Sequence, residues 1–531
     1  MAALYGAILG RIEHECYDVF SARAVVPGWH KVLWFAWVAF VRLPRSLLSA
    51  PAAETAVLRR AQRSDRRVAV IGAGFAGLTA AALLSKRGFS VDVFEQQSSI
   101  GGKAQSVHEG GVTLDLGPTL LTMPSVARGL FAELGAEDLM PRLHTLDEQC
   151  AYRFADGSSF SAHSDIERMA AAASQFGHDE ARAIHSFFAE AESIYRAAGE
   201  PFLAAPFSGM LGYGLRVAAG GPRALTLGLG MSTLHALACR HFKSAHLRQF
   251  IGRFATYVGG SPFEMSAAYA MIAHLERSQG VHHVEGGMGA LARRLATAAA
   301  RLGVRVHLGA PARAERVGDG FVVSHGTERA LYDEVVINAD PLTEVAPVTS
   351  RLSMSGHVLA LNVPRRLALS HHSVFFSADY ASEFASIACG LVPSDPTVYV
   401  CHPAASDSTM AEPGRSGLFV MINAAPVGGD YREAQGRRAI FSALQRAGVD
   451  VSPATIIAER TPADFARFGA PKGALYGALG HGRLGPFFRP KAQGRDGRWF
   501  AGGGTHPGGG VPMVMLSGRF AANAITHGGQ R

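Results

Sequence analysis

Three closely spaced glycines follow a short apolar run. Val68-Ala-Val-Ile71 is rich in β-branched residues and predicts a buried parallel strand. Gly72-Ala73-Gly74-Phe75-Ala76-Gly77 comes next, then a helix-forming stretch from Leu78 to Arg87. Val91-Asp-Val-Phe-Glu95 predicts a second strand that ends on an acid. This βαβ spacing suits a dinucleotide. Gly72 makes the tight turn, Gly74 lets backbone approach a pyrophosphate, and Gly77 permits close packing of helix on strand. The helix start offers N–H groups and a positive dipole end to the phosphates. Glu95 is placed to hold ribose hydroxyls and would repel a 2′-phosphate, which disfavours NADP.

A second glycine triplet, Gly480, Gly482 and Gly485, runs into Pro486 and Pro490 and cannot open a helix. One nucleotide site is therefore expected. Gly101-Gly102-Lys103 and Asp115-Leu-Gly117-Pro118-Thr119 follow Glu95. A glycine pair with a cation suits the second phosphate and ribityl chain of FAD, which NAD lacks. Residues 501–512 hold six glycines and two prolines, Gly503, Gly504, Gly510 and Pro512 among them. Such backbone lies flat, and Val511-Pro512 can open a helix where the missing N–H costs nothing. A helix N-terminus beneath a flavin would stabilise charge developing on its N1–C2=O edge.

Together these blocks resemble the phytoene-desaturase-type carotenoid desaturases of the amine-oxidase-like FAD superfamily. The resemblance covers about residues 67–531. Further markers are Gly286-Gly287-Met288-Gly289, the run Tyr332–Pro341, the pair Arg489-Pro490, and the string from Gly503-Gly504-Thr505-His506-Pro507 to Ser517-Gly518-Arg519. Lys103 departs from the family's usual arginine, trading a bidentate fork for a point charge. Tyr257–Pro262, Gly280-Val281, Glu285–Met288 and Gly510–Met513 look most like the 1-hydroxycarotenoid 3,4-desaturase (methoxyneurosporene dehydrogenase) branch.

The resemblance implies an α/β fold: a Rossmann-type FAD-binding domain with an inserted α+β substrate domain. Residues 67–150, 281–345 and 485–531 would form the FAD domain; 151–280 and 346–484 would form the substrate domain. FAD would be held by Gly72–Gly77, Glu95, Gly102, Lys103, Gly117–Thr119, Gly503, Gly504 and Gly510–Pro512. The substrate would be a lipid-soluble acyclic carotenoid, and quinone or oxygen would accept the electrons. Conjugation spreads the developing charge, so no strong base is required and no catalytic residue is named. Arg153 and Asp156 are polar candidates near the substrate; a solvated strand turn explains them equally. A carotenoid isomerase, another flavin oxidoreductase on the same fold and a non-catalytic scaffold stay open. A cysteine-tethered amine oxidase is disfavoured, since no cysteine follows Cys401.

Composition narrows the classes. The chain has 531 residues, enough for two or more lobes, and 48 % apolar against 18 % charged residues excludes disorder. Net charge is +8 without a basic–aromatic face, so nucleic acid is not an expected partner. Five scattered cysteines suit a reducing compartment and no disulfide framework. The pairs His282-His283 and His371-His372 are read as diverging along strands, which predicts no metal site. Residues 1–66 form an extension. Its run Val32–Val41 is apolar, carries Trp34 and Trp37, and is too short to span a bilayer. With the arginines near residue 60 it suits a helix lying in a membrane interface, or else one packed on the body of the protein. Residues 201–260 lack Asp and Glu and read as helices with an apolar face and basic edges, either packed on the FAD lobe or forming a portal. A cytoplasmic protein at the membrane periphery is expected.

Overall fold

Arg67–Ile71 becomes the central strand of a five-stranded parallel sheet. The computed structural model describes residues 66–206, 232–344, 351–478, 492–494 and 496–527, with positions 213, 214, 217 and 489. Residues 1–65 of the extension, the second glycine triplet and residues 207–212, 215, 216 and 218–231 of the apolar segment lie outside the described residues. Across the sheet the order is Trp499–Phe500, Glu334–Ile337, Arg67–Ile71, Ser90–Phe94 and Arg305–His307. Ile71 pairs with Ile337 on one side and Phe94 on the other. All four pairings are parallel, so the strand ends carrying Gly72, Glu95 and Asn338 emerge on one edge.

Helices Phe75–Lys86, Gly287–Arg301 and Val511–His527 contribute to the core on one face. Leu78, Leu83 and Leu84 are fully buried there, each contributing about 1.5–3 kcal/mol. An antiparallel meander, Ala312–Val317, Gly320–His325 and Glu328–Tyr332, covers the other face through Phe321, Val323 and Tyr332.

A seven-stranded sheet makes the second layer system. Its order is Thr455–Arg460, Ser355–Val363, Ser416–Ala424, Val398–Cys401, His372–Phe375, Glu148–Arg153 and Ser159–His163. Every pairing is antiparallel except that of His372–Phe375 with Glu148–Arg153. The strand Glu148–Arg153 runs through position 150. Helices Ile166–Ala173, Glu180–Ile194, Leu234–His241, Ala245–Gly252 and Ala270–Gln279 share an aromatic core with this end of the sheet. Two basic residues here meet acids: Arg240, on the third of these helices, pairs with Glu190 at 2.7 Å, and Lys243, in the connection after it, pairs with Asp179 at 2.9 Å. No described helix is long and apolar enough to cross a membrane.

Candidate cofactor site

The glycine turn is built with no room to spare. Gly72 has φ +105° and backs onto Asn338. A Cβ on Gly77 would collide with the Gly72 carbonyl, and one on Gly74 would come within 2.8 Å of Asn338 Nδ2. Asn338 Nδ2 itself donates to the Gly72 carbonyl at 3.3 Å. The helix begins at Phe75 with Gly74 as its cap, which has no side chain to satisfy the first-turn N–H groups. Those groups, with Ala76 and Gly77 among them, are left to face a ligand.

Glu95, 5 % exposed, accepts the Ala73 N–H at 2.7 Å and the Gln97 N–H at 2.9 Å. A carboxylate has acceptor capacity beyond two bonds, so it can still take hydroxyl donors. The Gly101-Gly102-Lys103 segment folds back on the same turn. Gly101 N–H donates to the Ala73 carbonyl at 2.9 Å, and Gly102 faces Gly74. Lys103 Nζ donates to the Leu475 carbonyl at 2.8 Å. Burial pushes its ammonium down to about 8, against an opposing pull from Asp340.

Gly117 lies against the Lys103 carbonyl, where a Cβ would not fit. Beyond Pro118, Thr119 Oγ1 bonds to Tyr399 OH at 2.6 Å, and that hydroxyl also bonds to His372 Nδ1 at 2.7 Å. Asp115, two residues before Gly117, accepts the N–H groups of Met288 (2.8 Å) and Gly289 (3.1 Å). It thereby caps the helix Gly287–Arg301. The glycine string 286–289 is mostly the first turn of this helix.

The C-terminal glycine block closes the bowl. Arg489 Nη1 donates to the carbonyls of Gly503 (2.7 Å) and Tyr476 (3.1 Å). Gly504 has the Asp340 carboxylate where a side chain would be, and Gly502 N–H donates to Ser517 Oγ at 3.1 Å. Gly510 has φ +105°, and Val511-Pro512 starts the C-terminal helix. That helix crosses Phe75–Lys86 where Gly518 meets the Ala76 carbonyl. The structure thus gathers the sequence-predicted glycines, Glu95 and Lys103 around one edge of the parallel sheet. Asn338, Asp340 and Ser517 belong to the same surroundings, although the sequence marks them only as part of the family resemblance and not as cofactor-site residues. Their signal was a polar Asn-Ala-Asp set directly after the apolar run Val335–Ile337.

Arg153 and Asp156 are placed elsewhere. Both are exposed; Asp156 accepts from Ser158 Oγ at 2.6 Å and meets His246 at 2.9 Å. Asp156 lines a surface cavity of 390 Å³ with Phe154, His246 and Tyr380, and no glycine of the bowl borders it.

A buried polar cluster sits beyond Thr119. Arg253 Nη1 donates to Tyr152 OH at 2.7 Å, and its guanidinium lies 4.8 Å from the Tyr257 ring and 5.9 Å from that of Tyr399. Burial, reinforced by Arg253, pushes the His372 imidazole down to about 3. The histidine pairs behave differently from each other. His282 bonds to Thr145 and the Gln279 carbonyl while His283 bonds to Asp407, so this pair diverges. His371 and His372 instead converge, with ring centroids 4.5 Å apart. Strand alternation does not separate them because the strand begins only at His372.

Residues 75–526 match the family described as flavin containing amine oxidoreductase. The chain is 36 % identical over 496 residues to the hydroxyneurosporene desaturase of Rhodobacter capsulatus, covering 87 % of this chain and 98 % of that protein. It is 33 % identical over 487 residues to the phytoene dehydrogenase of Streptomyces griseus, covering 86 % and 95 %. Among solved structures, putrescine oxidase bound to putrescine superposes with a TM-score of 0.60 at 17 % identity, covering 87 % of this chain and 99 % of that one. That likeness shows the fold alone. The chain belongs to the flavin-containing amine oxidoreductase family, among its phytoene-desaturase-type carotenoid desaturases. It is an FAD-dependent oxidoreductase. The donor set suits that cofactor: a glycine cradle, an uncapped helix start, a carboxylate at the second strand and a lysine beside the turn.

Proposed function

We propose that this chain introduces C=C bonds into an acyclic carotenoid, most closely a 1-hydroxycarotenoid oxidised at its 3,4 bond. The observation that carries the reading is identity of 34–36 % along nearly the whole length of three hydroxyneurosporene desaturases. FAD, when bound, would supply a two-electron acceptor for hydride from one carbon of a C–C single bond, the neighbouring carbon losing a proton to solvent. The protein's part is positioning and exclusion of water. Gly72–Gly77 and the helix start receive the pyrophosphate, Glu95 the ribose, and Lys103 adds positive charge beside them. Gly117–Thr119, Gly503, Gly504 and Gly510–Pro512 would border the flavin end of the cofactor, where the start of the C-terminal helix would stabilise negative charge. The segments 67–150, 281–345 and 485–531 act as the FAD domain and 151–280 with 346–484 as the substrate domain. Electrons leave to a quinone or to oxygen, and residues 1–66 hold the protein at the membrane surface from the cytoplasmic side.

Liposomes carrying an acyclic 1-hydroxycarotenoid, supplied with a quinone, test the reaction. A red shift of the carotenoid spectrum with stoichiometric quinone consumption is the expected result. A spectral shift without acceptor use identifies an isomerase, and no change under either condition overturns the enzymatic reading. Flotation with and without residues 1–60 tests the anchor: the truncated protein should stay at the bottom of the gradient.

A further inference from the structure

Among the described residues, His371 is buried with no hydrogen-bond partner. It is 5 % exposed, and neither ring nitrogen has a hydrogen-bond partner among the described residues. Beside it His372, 1 % exposed, spends Nδ1 on the Tyr399 hydroxyl and leaves Nε2 unpartnered. Buried polar atoms nearly always have a partner, so three unpartnered nitrogens at one spot call for a ligand. Cys401 stands opposite His372 in the antiparallel pair of strands. A ring nitrogen from each histidine and the Cys401 Sγ all lie within 4.8 Å of one another.

From this juxtaposition we infer that His371, His372 and Cys401 bind a divalent metal ion of the zinc class. Two imidazoles and a thiolate form a borderline-soft donor set, which suits Zn²⁺ and not the oxygen-seeking Ca²⁺ or Mg²⁺. Bonds of about 2.0–2.3 Å in a tetrahedron put ligand atoms about 3.3–3.8 Å apart. The cluster therefore needs a closure of roughly an ångström, within reach of side-chain rotation. Binding forms the metal–sulfur bond and releases the Cys401 thiol proton to solvent. Tyr399 completes the arrangement as an orienting partner: it fixes His372 through Nδ1, as metal-bound histidines are usually fixed, and leaves Nε2 for the ion. The same hydroxyl bonds Thr119. The ion would thus brace the wall that carries the Gly117–Thr119 segment. A tetrahedron on these three ligands keeps a fourth position for water.

The test uses the flavin-loaded, full-length protein, stripped with a chelator and titrated with Zn²⁺ alone. One equivalent should bind, and zinc-edge X-ray absorption should show a sulfur neighbour at about 2.3 Å. Cys401→Ser should remove that sulfur signal and weaken zinc binding at least ten-fold, with flavin content and circular dichroism as checks on folding. His371→Asn should weaken binding similarly. Cys239, whose Sγ lies 3.4 Å from His235 Nε2 on the surface, is the rival site, and Cys239→Ser should change nothing. Failure of the wild-type protein to take up stoichiometric zinc overturns the inference. So does a zinc ion without a sulfur neighbour, or a sulfur signal abolished by Cys239→Ser. If Cys401→Ser does not fold, the wild-type and Cys239→Ser spectra decide alone. None of these readouts depends on carotenoid turnover.

Discussion

The carboxylate of Glu95 accepts the backbone N–H of Ala73 at 2.7 Å, so the acid that ends the second strand also buttresses the glycine turn after the first. One side chain therefore sets the turn and, in the function proposed above, would also face the ribose. Glu95→Ala removes both contributions, and Glu95→Gln keeps an oxygen for the Ala73 N–H while losing the charge. Charged hydrogen bonds are worth about 1.5–3 kcal/mol each. FAD affinity should fall about 10- to 100-fold in Glu95→Gln, and further in Glu95→Ala. Flavin content after gel filtration, followed by fluorescence titration of the apoprotein, checks the order. Equal retention in all three proteins would remove Glu95 from the ribose.

If Lys103 lies beside the phosphates as proposed, FAD binding should carry a pH signature. Without cofactor its ammonium sits at about 8, below the ordinary 10.5, because burial disfavours the charge. A phosphate nearby raises that value. Binding then takes up a proton at any pH between the free and bound values. Affinity should be flat below about pH 8 and fall as pH rises above it, by up to ten-fold per unit. Lys103→Met should bind FAD more weakly at neutral pH and lack this alkaline fall. Equilibrium titrations from pH 7 to 10 measure it; parallel profiles for the two proteins would place Lys103 away from the phosphates.

The first half of this site is legible in the sequence because it is local. Gly72, Gly77 and Glu95 belong to one βαβ unit, and each residue type has a steric or electrostatic reason that needs no distant partner. Asn338 and Asp340 were harder to read. Their work depends on the parallel register that sets Ile337 beside Ile71, across more than 260 residues of chain. The seven-stranded sheet was less legible still. Nothing in Glu148–Arg153 announces that it will lie parallel to His372–Phe375. The convergence of His371 and His372 was misread for a related reason: alternation holds inside a strand, and His371 precedes the strand. Cys401 joins them only through cross-strand pairing.

Asp92 ties the far edge of the parallel sheet together and should show in acid unfolding. Arg305 grips its carboxylate with two bonds of 2.7 Å; His307 and Tyr332 OH each add one at 3.0 Å. Burial alone would raise the carboxyl, but the bonds from Arg305, His307 and Tyr332 outweigh it and hold it at about 2 against an ordinary 3.8. A depressed carboxyl stabilises the fold above its unfolded value and loses that contribution as pH falls through its folded one. The stability gap between wild type and Asp92→Asn should be full above about pH 4 and shrink toward pH 2. Thermal unfolding at half-unit steps from pH 2 to 6 reads the gap directly. A gap that stays constant would mean that Asp92 acts by packing and not by charge.

Gly518 lies where the C-terminal helix crosses the first helix, with the Ala76 carbonyl and the Thr79 Cβ occupying the space a side chain would take. Neither neighbour is the free end of a flexible chain: one is helix backbone and the other a Cβ atom. A methyl group must therefore push the two helices apart. Overpacking of this kind costs about 1–3 kcal/mol, and it also shifts the helix start at Val511 relative to Gly72–Gly77. Gly518→Ala should accordingly lower the thermal midpoint and loosen FAD together, whereas Gly429→Ala, at a glycine with open space around it, should alter neither. Saturating FAD should recover part of the lost stability through mass action. Loss of stability with unchanged flavin affinity would show that the helix crossing and the cofactor bowl are mechanically independent.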